Sequence, residues 1–299
     1  MPQLENRELR VHVLDPVAHA ARLGPRYCWG GYVWQVEDRV AGPLLAGPEW
    51  PQPAPSAFNG QGLPESFRHR TLDGRPLTWQ GEVGLALGAG ELRCDPGGQV
   101  ELTRPCRWEM TALAQRLRFV TRHAAAGFQY ELVREVELAN RDVHSSTWLT
   151  NSSSDGRLAL EWFAHPFFPL VDGVARAEVP AGTTLTENAG FLLDGRVLTQ
   201  RRRFVRPDDG HMERGLRLPA GSPLIATLAH PALTHIGVET RFAPDSCVIW
   251  GNDRTFSFEP YLVLDLAPGE THSWSLIYRF GVSSGMSAPS LSSLTSAPR

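Results

Sequence analysis

The segment FQYELVREVELAN, residues 128–140, decides the fold class. Two sets of side chains alternate along it. The first set is Tyr130, Leu132, Arg134, Val136 and Leu138, and the second is Gln129, Glu131, Val133, Glu135 and Glu137. A period of two is typical of a β-strand whose two faces have different surroundings. We therefore predict a strand here, with one mostly apolar face and one mostly polar face.

The same alternation recurs along most of the chain. It is found in LRCDPGGQVELT (residues 92–103), RLALEWFAH (157–165), SCVIWGN (246–252) and TFSFEPYLVLDLAPGETHSWSLIYRF (255–280). Turn signals such as DPGG, LDGR, PDDG and APGE lie between the strands, and no segment has the pattern of a long amphipathic helix. Many short strands without a shift in composition predict an all-β protein with antiparallel sheets, of sandwich or barrel type.

The domain organisation is expected to be simple. We predict a single β domain over residues 1–283 and a disordered tail over residues 284–299, where Ser is frequent. Residues 41–64 also lack the strand pattern and are rich in Gly and Pro, which predicts a long loop. Ligand contacts are expected on this loop, because binding residues are often carried by loops on a rigid scaffold.

The composition argues against several function classes. Among 299 residues, 29 basic ones, all arginine, nearly balance 32 acidic ones, and the formal net charge is -3. We expect no nucleic-acid partner, no P-loop lysine and no Schiff-base lysine. The four cysteines form no CxxC pair, so no metal site is predicted. No signal peptide or membrane-spanning segment is recognisable, which predicts a cytoplasmic protein without a membrane partner.

A histidine lies at the end of one predicted strand, in the otherwise apolar run EWFAHPFFPLVDG. The alternation puts Glu161, Phe163 and His165 on one face of this strand. Pro166 cannot donate a hydrogen bond to a sheet, so the strand should end there and the imidazole can project into a cleft. Histidine suits acid-base chemistry, because its ordinary pKa is close to neutrality. The alternative is a hydrogen-bonded histidine packed among aromatic rings.

The best partner for this histidine is a carboxylate in the middle of another predicted strand. In TFSFEPY, Glu259 shares a face with Ser257 and Tyr261, opposite the apolar face formed by Phe256 and Phe258. An ion pair between Glu259 and one of the many arginines, on a solvated strand face, would explain the carboxylate equally well.

Taken together, these segments resemble the aldose 1-epimerase, or galactose mutarotase-like, superfamily. LTNSSSDGRLALEWFAHPFFPL (residues 149–170) is similar to that family's Asn-containing strand and its His-Pro-aromatic-Phe segment. TFSFEPY (residues 255–261) is similar to the strand that carries the family's catalytic glutamate, and VETRFAPDSCVIWGN (238–252) resembles the strand before it. The resemblance covers approximately residues 8–282 and implies a β-supersandwich.

The resemblance also implies a mechanism. His165 would be the general acid toward the sugar ring oxygen, and Glu259 the general base on the anomeric hydroxyl. The ring opens, the C1 aldehyde rotates, and closure gives the other anomer. Each group has to lie within about 3 Å of the proton that it transfers. The only partner implied is a small-molecule sugar, and neither a metal nor a nucleotide cofactor is required.

The chain departs from typical members in one segment. They carry a His-Gly-Gly motif where this chain has GQGLPESFRHR (residues 60–70), which places it in a divergent branch. Glu65, Arg68 or His69 would have to replace the sugar contact made there.

Further sugar contacts are implied for residues around Glu259. Trp250, Asn252 and Tyr261 are close to it in sequence and would supply a stacking platform and polar groups. Asp209, in RPDDGHMERG, is the nearest match to the family's acidic sugar-binding residue, although an aspartate that shapes a turn explains it equally well.

Two functions of different classes therefore remain open. The first is an aldose 1-epimerase-like enzyme acting on a hexose or a modified hexose, and the second is a non-catalytic carbohydrate-binding or sensing protein. Glycoside hydrolysis is disfavoured, because Glu161 is the only suggestive second carboxylate. A phosphorylated substrate would require an arginine cluster at the pocket. The candidates are Arg26, Arg68, Arg70 and residues 201–203.

Overall fold

The structure is a computed structural model that describes residues 1–206 and 208–283. The predicted tail, residues 284–299, lies outside the described residues. The strands are, in chain order, β1 (Gln3–Glu5), β2 (Leu9–Val13), β3 (Val33–Asp38), β4 (Gly42–Pro43), β5 (Glu65–Arg68), β6 (Trp79–Gln80), β7 (Val83–Ala86), β8 (Gly90–Cys94), β9 (Val100–Pro105), β10 (Trp108–Leu113), β11 (Arg116–Ala125), β12 (Phe128–Ala139), β13 (Asp142–Asn151), β14 (Leu158–Ala164), β15 (Phe168–Pro169), β16 (Arg176–Glu178), β17 (Thr184–Leu185), β18 (Phe191–Asp194), β19 (Val197–Gln200), β20 (His211–Arg217), β21 (Ile225–Leu228), β22 (Ile236–Thr240), β23 (Ser246–Gly251), β24 (Thr255–Leu266) and β25 (Thr271–Phe280). The only helix in the described residues is a single 3-10 turn, Ala20–Arg22.

The described strands form four antiparallel sheets. The largest has ten strands in the order β10-β11-β12-β13-β25-β22-β21-β16-β19-β18. The second has seven, in the order β17-β20-β23-β24-β14-β5, with β15 paired to β24 beside this path. Two smaller sheets have the orders β1-β2-β3-β4 and β6-β7-β8-β9. The structure thus confirms an all-β fold with antiparallel sheets, and each segment predicted to contain strands does contain them.

The two large sheets pack face to face through aromatic side chains. Trp162 on β14 of the seven-stranded sheet contacts Trp274 on β25 of the ten-stranded sheet, with ring centroids 5.4 Å apart. Phe67 on β5 approaches the same tryptophan at 6.1 Å. All three side chains are buried, and burial of aromatic side chains of this size contributes several kcal/mol of hydrophobic stabilisation. The core of the sandwich therefore lies between these sheets.

An arginine lies in this apolar layer. Arg134 belongs to the inward-facing set of β12, and its side chain is only 2% exposed. Its guanidinium pairs with the carboxylate of Glu65 on β5, and Ser145 and Thr147 on β13 accept further hydrogen bonds from it. Both terminal nitrogens of the guanidinium thus have partners, although its Nε has none, and a buried charge requires such partners. This ion pair connects the two sheets across the core.

The segment predicted as a long loop is mostly irregular, although residues 42–43 pair with β3 as the short strand β4. It runs along the end of β14, since the carbonyls of Gly62 and Pro64 accept hydrogen bonds from the backbone of Phe167 and His165. No helix in the described part of the chain is long and apolar enough to cross a membrane.

Candidate functional site

The site is built where β14 ends. Its last paired residues are Phe163, opposite Tyr261 of β24, and Ala164, opposite Glu65 of β5. His165 follows immediately. Its backbone N–H no longer pairs within β14 but donates to the carbonyl of Pro64 at 2.8 Å. The strand therefore stops at the position that the His-Pro sequence predicts, with the imidazole on the face shared by Glu161 and Phe163.

Glu259 meets this histidine because β14 and β24 are neighbours in register. Phe163 pairs with Tyr261, and the strands are antiparallel, so two residues farther along β14 His165 lies opposite Glu259. The imidazole Nε2 lies 3.6 Å from Oε1 of the carboxyl group. Both residues are 4% exposed. Two residues that are far apart in the sequence are thus placed together in one buried position.

Burial changes the protonation of both groups. It raises the pKa of the Glu259 carboxyl to about 8, although the positive charges of Arg26 and Arg68 oppose the shift. Burial also lowers the pKa of His165 well below its usual value, and Arg26 adds to that effect. At neutral pH the carboxyl group therefore holds a proton and the imidazole is neutral, so that the pair carries no net charge.

Ser257 is a member of this site that the sequence analysis placed on the correct face but did not select. Its hydroxyl lies 3.0 Å from Nδ1 of His165, at hydrogen-bond distance. This contact holds the ring and leaves Nε2 directed toward Glu259. The signal in the sequence was the spacing of Ser257 two residues before Glu259 on the same strand face.

Aromatic rings surround the imidazole. The centroids of Phe167, Trp250 and Phe163 lie 4.4, 5.7 and 5.9 Å from that of His165. Tyr261 stacks on Phe163 with centroids 4.8 Å apart and planes inclined by 6°. Trp250 and Tyr261, both expected to contact a sugar, therefore lie beside the catalytic candidates. Their rings give the site the apolar walls that suit the apolar face of a pyranose.

A groove of about 950 Å³ lies on the far side of Phe163 from the pair, and neither His165 nor Glu259 lines it. Phe163 borders it and also contacts His165, and Arg26 borders it and acts electrostatically on Glu259. Phe58, from the long loop, lies across the Arg26 guanidinium, 4.5 Å from its ring centroid. The loop thus contributes to the wall of the groove, and the aromatic–arginine contact stands at its entrance.

Glu65 was expected as a sugar contact, and the structure corrects this expectation. The alternation along β5 turns its side chain inward, where it is held by Arg134, by the Ser145 hydroxyl at 2.6 Å and by Nε1 of Trp162 at 3.0 Å. These partners occupy both carboxylate oxygens between the sheets. Glu65 therefore stabilises the sandwich, and Arg68, three residues later, is the β5 residue that borders the groove.

His69 lies in the wall of the groove but not beside the His165–Glu259 pair. Its Nδ1 accepts a hydrogen bond from Nε1 of Trp79 at 3.0 Å. Burial, together with the neighbouring charges of Arg70 and Arg68, lowers the pKa of His69 to about 4. The imidazole is therefore neutral at physiological pH, and its position gives it the structural role of fixing the tryptophan ring.

Asp209 and Asn252 have local partners that explain them without a ligand. The Asp209 carboxylate forms two hydrogen bonds to the Arg202 guanidinium, at 2.6 and 2.7 Å, and accepts the backbone N–H of Val205. The Asn252 side-chain oxygen accepts the backbone N–H groups of Arg254 and Thr255, which closes the turn between β23 and β24. Both residues thus shape loops, and the expectation of sugar contacts for them finds no support in this geometry.

No group of three histidine, cysteine or acidic side chains within the described ranges is placed to hold a metal ion. The arrangement instead offers two proton carriers, a hydroxyl that orients one of them, and aromatic walls. A pair with these properties can give a proton to one oxygen of a ligand and take a proton from another.

Comparisons with known proteins agree with this architecture. A putative aldose 1-epimerase from Escherichia coli K12 superposes with a TM-score of 0.55 at 17% identity, over 94% of this chain and 98% of that one. A galactose mutarotase related enzyme from Lactobacillus acidophilus gives 0.57 at 13% identity, over 95% and 98%. A galactose 1-epimerase from Lactobacillus acidophilus NCFM gives 0.53 at 12% identity, over 93% of each chain.

A comparison with protein-family models finds no match, and a sequence comparison with curated proteins finds none either. The structural likeness covers nearly the whole chain, and at such low identity it concerns the fold and not the activity. It confirms the architecture that the resemblance of the sequence segments implies. The chain therefore has the galactose mutarotase-like β-sandwich fold that is found in aldose 1-epimerases.

Proposed function

We propose that the protein interconverts the anomers of a hexose or a modified hexose by acid-base opening of the sugar ring. The observation that supports this most strongly is the meeting of His165 and Glu259, 3.6 Å apart, where β14 ends beside β24. The two groups are nearly buried among aromatic rings, and Ser257 orients the imidazole.

The pair can carry out the whole proton transfer. His165 gives a proton to the ring oxygen while Glu259 accepts the proton of the anomeric hydroxyl, so that the bond between C1 and the ring oxygen breaks and a C1 aldehyde forms. Rotation about the bond between C1 and C2 presents the other face of the aldehyde. Closure then reverses both transfers, and the pair returns to its starting protonation.

Sugar binding has to change the pair in two ways. The proton that resides on Glu259 in the sugar-free protein must pass to His165, which needs no exchange with solvent because the two arrangements contain the same number of protons. The side chains must also move apart, since each has to approach its own sugar oxygen to about 3 Å. The charge of Arg68 favours the carboxylate form of Glu259 and assists the first change, whereas Arg26 favours that carboxylate but opposes a positive charge on His165.

The test is the optical rotation of freshly dissolved α-glucose, α-galactose and glucose 6-phosphate, followed with and without the protein. We expect acceleration over the spontaneous rate with at least one sugar, and a loss of at least about a hundredfold in His165→Asn and in Glu259→Gln. His144→Asn is the matched control, because His144 lies on β13 in the other sheet.

Near wild-type acceleration in either site variant would remove that residue from the mechanism. Binding of a sugar without any acceleration would instead identify the protein as a carbohydrate-binding protein on the same fold.

A further inference from the structure

We infer that the sugar bound here carries an anionic group, a phosphate or a carboxylate, which is received by the arginines of the groove. This inference rests on the proposed function for the position of the sugar, and it concerns the class of substrate. Three arginine side chains, Arg26, Arg68 and Arg70, border the groove, and Phe163, which also borders it, contacts His165.

Arg26 is the central residue of this subsite. No carboxylate of the described residues lies within ion-pair distance of its guanidinium, whereas most arginines of the chain have such a partner. One of its nitrogens, Nη1, donates to the carbonyl of Phe58 at 2.7 Å. Its planar group lies over the rings of Tyr27 and Phe58, at 5.1 and 4.5 Å from their centroids. The guanidinium is thus held in place by stacking and one hydrogen bond, and its other donors remain for a ligand.

The position of Arg26 links the subsite to the chemistry. Its guanidinium lies over the ring of Tyr27, and the centroid of that ring is 6.3 Å from that of His165. Its charge acts on both Glu259 and His165. An anionic group held by Arg26 and a sugar ring held at the pair would thus be separated by the single side chain of Tyr27, and we assign both to one ligand.

The other two arginines increase the positive charge of the groove. Arg70 stacks on Trp79 at 4.6 Å and has no acidic partner in the described residues. Arg68 lies 3.4 Å from Glu161, which partly compensates it, and donates to two backbone carbonyls. The nearby carboxylates are those of Glu161, beside Arg68, and Asp73, which accepts a hydrogen bond from Thr71, so three guanidinium groups against two carboxylates leave a net positive charge. Oxyanions such as phosphate and carboxylate are the ligands that arginine binds most strongly.

The remaining candidates of the sequence analysis do not contribute to this groove. Arg202 is paired with Asp209 on its own loop, and none of residues 201–203 borders the groove. The structure thus separates one set of arginines, beside the proton-transfer pair, from another that stabilises a surface loop.

The inference is tested by comparing kcat/KM for mutarotation of glucose, glucose 6-phosphate and glucuronate, together with the affinity of each sugar measured by calorimetry. We expect at least one anionic sugar to exceed glucose by about tenfold to a hundredfold, the range that charge-assisted hydrogen bonds provide. Comparison of glucose 6-phosphate with glucuronate shows whether the groove prefers phosphate or carboxylate. In Arg26→Gln this preference should fall by about tenfold, and in Arg26→Lys, which keeps the charge, it should fall less.

Arg176→Gln is the matched control, because Arg176 lies on β16 in the other large sheet, and it should leave the preference unchanged. Equal turnover of glucose and both anionic sugars overturns the inference and leaves the proposed function standing. Tight binding of an anionic sugar that Arg26→Gln weakens, without turnover of any sugar, supports the inference and refutes the proposed catalysis. Failure of both anionic sugars to bind better than glucose overturns the inference whatever the rates are.

Discussion

Replacing Glu259 by glutamine should abolish activity and at the same time stabilise the protein at neutral pH. The carboxyl group is almost completely buried, which raises its pKa from the ordinary 4.5 to about 8. In the unfolded chain the group ionises at its ordinary pKa, so at pH 7 folding must return a proton to it. Glutamine has the same shape as the protonated acid and carries no charge, and it therefore avoids this cost.

The magnitude follows from linkage between protonation and folding. A group whose pKa is raised on folding contributes its full stabilisation below the unfolded pKa, and this is lost as pH rises toward the folded pKa. Each pH unit in this window corresponds to about 1.4 kcal/mol. Relative to low pH, the protein has lost about 1 kcal/mol of this stabilisation at pH 5 and about 3 kcal/mol at pH 7. The gain from Glu259→Gln should therefore be larger at pH 7 than at pH 5 by about 2 kcal/mol.

The assay is urea unfolding of the wild type and of Glu259→Gln at pH 5 and at pH 7, with the free energy of unfolding extrapolated to water. Glu101→Gln is the control, because Glu101 is exposed on β9 and has no ion-pair partner among the described residues. In this control the effect on stability should be the same at both pH values. An effect of Glu259→Gln that does not change between pH 5 and pH 7 would refute the argument that burial keeps this carboxyl protonated.

Three further outcomes are expected. Glu65→Gln should destabilise the protein by about 3 to 5 kcal/mol in urea unfolding, because it leaves the buried charge of Arg134 without its counter-ion. A stable variant that loses only sugar binding would show instead that Glu65 contacts the sugar. Ser257→Ala should lower kcat about tenfold with a smaller effect on KM, since the imidazole of His165 loses the hydrogen bond that orients it; unchanged kcat would exclude this role. The value of kcat/KM should fall above about pH 8, where Glu259 loses the proton that the pair shares. Activity should persist below pH 6.5, because burial keeps His165 neutral there. A constant rate through pH 8 to 9 would contradict this assignment.

The strands and their facing residues could be predicted from the sequence because they depend on local alternation. The period of two along β12 and β24 separates inward from outward side chains without knowledge of what they contact. The end of β14 at His165 could be predicted as well, since Pro166 lacks the backbone donor that a further sheet pairing requires.

The partners of polar residues could not be predicted in this way. Alternation places Arg134 among apolar residues of β12, but only the packing of the two large sheets shows that Glu65 neutralises it. The resemblance offers Glu65 as a replacement for the missing His-Gly-Gly contact, and nothing in the sequence near Glu65 shows that Arg134 occupies it. Asp209 is the nearest match to the family's acidic sugar-binding residue by its position between the strands of His165 and Glu259. Its bidentate contact with Arg202 depends on the conformation of a loop, which the sequence does not show.

The sequence by itself determined the strands, the face that each side chain takes, and the residue types that can carry protons. These properties are fixed by neighbours within a few positions along the chain. The tertiary structure alone decided that His165 and Glu259 meet, that burial raises the pKa of the carboxyl group, and that Arg26 lies over Tyr27, the ring next to His165. Sheet order and register bring together residues about 90 and more than 200 positions apart, and desolvation depends on all the atoms that surround a group.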